Sequence, residues 1–125
     1  MEIYTETVSL SQCKPSSKLA AKLKAIRKGI LPHLPLDLDP DTRLEKVEIV
    51  GPNIVYTQHL HGVAAAELDL QQLVPMLQQI GLQSVCGQQE MKDLSDAGAV
   101  IRYHYIDKDR AFLSNVDVPS GICPT

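Results

Sequence analysis

Three cysteines, four histidines and two short acidic clusters are the residues of this 125-residue chain whose types could do chemistry. Cys13 precedes Lys14 and stands just ahead of a predicted helix start, where a nearby cation and the helix N-terminus both favour a thiolate. It is a candidate reactive thiol, against which stand an unpaired structural cysteine and a pairing between subunits. Cys86 and Cys123, taken by themselves, read as reduced thiols of a cytosolic protein. His59 and His61 are two apart on a predicted strand and so point the same way. If Ile54, Tyr56 and Leu60 face the core, both histidines face out. By the same parity Ile101, Tyr103 and Tyr105 face in, which leaves Arg102 and His104 on the outer face. Were the two strands neighbours in register, His59, His61 and His104 would form a zinc or copper site. The alternative is a polar, partly exposed sheet face.

The acidic residues support less. Asp37, Asp39 and Asp41 lack the glycine and the distal glutamate of a calcium loop, and Pro40 interrupts them, so they read as a solvated turn. Asp107 and Asp109 alternate with Lys108 and Arg110, as in a hydrated turn. No carboxylate pair is set up for acid and base work. Phosphate-binding glycine loops, a nucleophile elbow and Cys-x-x-Cys pairs are all missing from the sequence. The expectation is a protein without a cofactor and without enzymatic activity.

The elements that must position these residues come from a composition that is 44% hydrophobic and 22% charged, that of one globular domain spanning residues 1–125. There is no tryptophan and one phenylalanine, so aromatic stacking platforms for bases are poorly supplied. Lys14, Lys18, Lys22, Lys24, Arg27 and Lys28 form a local basic cluster in a chain of net charge -3. That reads as the solvated side of a helix rather than a nucleic-acid surface. No apolar run is long enough to span a bilayer. Met1-Glu2-Ile3-Tyr4 is not a signal peptide, which leaves either a cytoplasmic protein or an exported one whose signal has been replaced.

Ile3 to Leu10 reads as an edge strand. A helix capped at Ser16 or Ser17 follows, with Leu19, Leu23, Ile26 and Ile30 on one stripe until Pro32 and Pro35 end it. After a turn-rich connector at residues 36–42, Leu44 to Val50 and Ile54 to His61 flank Gly51-Pro52-Asn53 as a tight hairpin. Helices are expected from about Leu68 to Ile80, stopped by Gly81, and from Leu82 to Asp96, closed by Gly98. Val100 to Ile106 and Ala111 to Val118 form a second hairpin. The expected fold is α+β, an antiparallel sheet of about four strands in two hairpins with helices on one face.

The run from Cys86 and Gly98 through Val100-Ile101-Arg102-Tyr103-His104-Tyr105-Ile106-Asp107 to Phe112-Leu113, Val116 and Cys123 is similar to the C-terminal half of many small exported bacterial proteins of uncharacterised function. Leu34-Pro35-Leu36-Asp37, Thr42, Leu44, Val47 and Val55-Tyr56 resemble their central part. The resemblance implies a Cys86 to Cys123 disulfide and a periplasmic or secreted location. It differs where Arg110 takes the usual place of a glycine. The function expected is binding, through the sheet face or an edge strand, to another protein or a second copy; the alternatives are a metal or small-ligand binding protein using His59, His61 and His104, and a thiol-dependent enzyme at Cys13. Neither nucleic acid nor a membrane span is expected.

Overall fold

The computed structural model describes residues 14–62, 64–67 and 69–123. Its elements are α1 (Ser17–Ile30), β1 (Leu36–Asp39), β2 (Thr42–Val50), β3 (Asn53–Leu60), α2 (Leu70–Cys86), α3 (Gln89–Asp96), β4 (Ile101–Ile106) and β5 (Phe112–Val118), with single 3-10 turns at Leu31–His33 and Ala65–Glu67. The five strands form one sheet in sequence order. Both predicted hairpins form, β2 with β3 and β4 with β5. They join through a parallel pair, β3 beside β4, so the sheet is not wholly antiparallel. The cause is the connector: two helices between β3 and β4 give the chain length to cross the sheet and return in the same direction.

The fifth strand comes from the stretch expected as a connector. Leu36-Asp37-Leu38-Asp39 alternates as a strand does, and Arg43 Nε donates to Asp37 Oδ1 at 2.8 Å across the β1–β2 pair. The strand expected at Ile3 to Leu10 lies outside the described residues.

The helices start and stop for local reasons. The Leu19 N–H donates to Ser16 Oγ at 3.1 Å, so Ser16 caps α1. Asp69 Oδ1 accepts from the Gln71 N–H and caps α2. Helix α2 does not stop at Gly81 but runs on to Cys86, and it contains Pro75. A Cβ at Gly81 would lie 3.3 Å from the Tyr103 ring and 3.5 Å from Val116. The glycine is there to let the helix approach the sheet. After α3, Gly98 takes φ 107; its N–H donates to the Ser95 carbonyl and that of Ala99 to Leu94, the paired bonds of a Schellman C-terminus.

All three helices pack on one face of the sheet. That face carries, in register across β2, β3, β4 and β5, the rows Ile49-Ile54-Ile101-Val118, Val47-Tyr56-Tyr103-Val116 and Leu44-Gln58-Tyr105-Ser114. Leu19 and Leu23 of α1, Leu77 and Val85 of α2, and Met91 and Leu94 of α3 close the core over them. Burial raises the pKa of all three core tyrosines, that of Tyr103 to about 12.

Candidate functional site

The face opposite the helices carries His59 and His104. His59 pairs across strands with Arg43 and Ile106, and His104 with Thr57 and Asn115. The inward-outward parity read from the sequence therefore holds for both. His59 Nδ1 lies 3.1 Å from Glu45 Oε2, and Nε2 lies 3.3 Å from the Lys108 carbonyl oxygen. The His61 ring stands 4.5 Å from that of His59, and its Nε2 is buried without a hydrogen-bond partner among the described residues. His104 Nδ1 lies 2.6 Å from Asn115 Oδ1, and its ring stacks on Phe112. Among the described residues no group of three or more His, Cys, Asp or Glu is arranged to hold a metal. The expected triad of His59, His61 and His104 is not assembled as a ligand set. The register is the reason: His104 lies one row along the sheet from His59, turned to Asn115 while His59 is engaged by Glu45.

Cys86 and Cys123 are bridged, with Cα atoms 5.4 Å apart, inside the usual span. The bridge ties the segment after β5 to the C-terminal end of α2. Buried Ser95 holds the same segment: its Oγ donates to the Pro119 carbonyl and accepts from the Gly121 N–H. Cys13, the candidate reactive thiol, lies outside the described residues.

At the β4–β5 turn, Asp107 Oδ1 accepts from the backbone N–H groups of Asp109 and Ala111. Arg110 adopts φ 68, the left-handed conformation that glycine would reach without strain. What an arginine gains there is Glu45: both guanidinium amino groups donate to that carboxylate. This pairing, more than any other influence, holds the Glu45 carboxyl below its ordinary pKa.

The feature that sequence reasoning did not single out is a groove on the helical side. Helices α1 and α3 touch only in part above the sheet and leave a cavity of about 820 Å³ between them. Its floor is Leu44, Tyr56 and Tyr103; Tyr56 and Tyr103 stack with ring centroids 5.6 Å apart, and Tyr56 Oη donates to Met91 Sδ at 3.5 Å. One wall is α1, which presents Ala25 and Gly29, four residues apart on one helix face. A Cβ on Gly29 would touch nothing within 4 Å. The other wall includes Glu90 and Asp93 of α3. Gln58 rises from the floor. It is only 8% exposed, and it lines the groove. A signal for it was present: Gln58 belongs to the inward set Ile54, Tyr56, Gln58, Leu60, where a polar residue is out of place.

No protein-family model and no curated protein matches this chain. Solved structures do. A candidate secreted protein of Pseudomonas aeruginosa, 16% identical, superposes with a TM-score of 0.72 over 94% of this chain and 100% of its own. The type II secretion system pilotin AspS of Vibrio cholerae, 15% identical, gives 0.65 over 85% of this chain and 93% of that one. The type 2 secretion system pilotin EpsS of Vibrio vulnificus, 13% identical, gives 0.65 over 88% and 99%. At these identities the likeness is one of fold: this α+β architecture is shared, over nearly its whole length, with a candidate secreted protein and with secretion-system pilotins.

Proposed function

We propose that this chain is a non-catalytic binding protein of the exported kind, and that it holds an amphipathic helical segment of a protein partner in the groove between α1 and α3. The observation that carries the reading is Gln58, a polar side chain only 8% exposed that lines an otherwise apolar groove floor. Leaving such a group unpaired in a closed core costs about 1–3 kcal/mol; facing a ligand, it fixes register. Ala25 and Gly29 let a backbone come close to α1. A helix roughly 10 Å across fills roughly 420 Å³ per turn, so a groove of about 820 Å³ takes about two turns. Glu90 and Asp93 call for basic residues on the flank of that helix. Its buried side would carry apolar residues at helical spacing and one amide or hydroxyl for Gln58. Export accords with the Cys86–Cys123 bridge, since such bonds persist in oxidising compartments, and with the secreted and pilotin proteins that share the fold.

The test is a photoreactive amino acid at position 29, introduced in the bacterium that encodes the chain, with the cross-linked peptide mapped by mass spectrometry. The expected product joins one partner through an amphipathic segment with basic residues on one flank. No cross-link from position 29 while the same probe at Thr57, on the opposite sheet face, gives one, or a cross-link to a segment without that pattern, would reject the groove.

A further inference from the structure

Helix α2 runs for 17 residues without one charged side chain. At the chain-wide 22%, about four of its residues would carry charge if α2 were an ordinary solvated helix. Its inward side is accounted for by Val74, Leu77, Gly81 and Val85, all buried. Its outward side presents Gln72, Met76, Gln79 and Gln83, with Ile80 beside them; Met76 is 54% and Ile80 47% exposed.

We propose that this face docks a second copy of the chain, α2 against α2, antiparallel about a two-fold axis at the middle of the helix. The spacing of the stripe is 4, 3, 4, which reads the same in both directions about the midpoint between Leu77 and Gln78. A two-fold axis there sets Gln72 against Gln83 of the partner subunit and Met76 against Gln79 of the partner subunit. Amide side chains both donate and accept, so Gln72 and Gln83 of the partner subunit, paired twice across the axis, satisfy each other. A charged face opposed to itself would instead repel. A membrane surface calls for cations along the rim of an apolar stripe, and α2 has none. The face is separate from the groove, to which α2 contributes Ser84.

The test uses the full chain carrying Cys13→Ser, so that association cannot arise through that thiol, with Cys86–Cys123 intact. Sedimentation equilibrium from ~10 µM to ~1 mM should show the mass rising from 13.7 kDa toward twice that value. Dilution should shift the amide resonances of residues 72, 76, 79, 80 and 83. Met76→Glu and Ile80→Glu, both at exposed positions that leave the fold intact, should each weaken association by at least ~100-fold, placing like charges at the seam. A chain still monomeric at ~1 mM, association that survives both substitutions, or dilution shifts centred elsewhere would overturn the proposal. So would binding of α2 to phosphatidylglycerol vesicles without self-association.

Discussion

Helices α1 and α2 cover the same side of the same sheet and differ in almost everything they turn outward. Helix α1 carries Lys18, Lys22, Lys24, Arg27 and Lys28; α2 carries no charge. Each contains one interior glycine, and the two glycines do opposite things. Gly81 of α2 is pressed against Tyr103 and Val116 from within the fold, whereas a Cβ at Gly29 of α1 would meet empty space. The buried side of a helix is dictated by the sheet beneath it. What the sheet does not dictate, the outward charge pattern and a glycine with no internal reason, points to what the helix meets outside the chain.

The widest separation between the two helices comes from the covalent clamp, which holds α2 alone. Replacing Cys86 and Cys123 by serine opens a loop of 37 residues and should lower unfolding free energy by roughly 4 kcal/mol on the chain-entropy estimate, read by urea denaturation. The glycines come next. Gly81→Leu must push α2 off Tyr103, with an expected cost of about 2–3 kcal/mol. An unchanged midpoint would mean that α2 is not seated as described.

The floor beneath both helices responds to alkali. The unfolded tyrosines ionise near 10 while the folded state keeps its phenols neutral, Tyr103 up to about 12. Stability is therefore full below pH 10 and falls above it, by up to about 1.4 kcal/mol per pH unit for each buried tyrosine, because the unfolded chain then holds fewer protons. A flat stability profile through that range would contradict the burial of Tyr56, Tyr103 and Tyr105. The smallest effect sharpens the comparison most: Gly29→Ala should stabilise by about 0.5–1 kcal/mol, since helix propensity improves and no contact opposes it. A loss of stability there would place Gly29 inside the fold's own packing.

Much of this was legible wherever one short stretch decides the outcome. The Ser16 cap, the Gly51-Pro52 turn, the glycine terminus at Gly98 and the facing of His59 and His104 each follow from local chemistry or strand parity. What was not legible depends on distant residues. Gly81 reads as a helix stop until Tyr103 and Val116 are seen against it. Residues 36–39 read as a connector until Arg43 of β2 pairs with Asp37. The parallel β3–β4 pair is set by the path of a helical crossover, to which strand periodicity is blind. The groove was half legible, because Gln58 broke the inward pattern of β3, but only the cavity left between α1 and α3 gives that residue something to face.

The most direct measurement of the central claim places a photoreactive residue at Lys22, on the groove wall, and compares the partner cross-link with and without Gly29→Leu. The leucine enters the groove from a position where a Cβ meets nothing within 4 Å, so the expected result is an unchanged or raised melting temperature together with loss of the cross-link. A cross-link of equal yield in the leucine variant would contradict it.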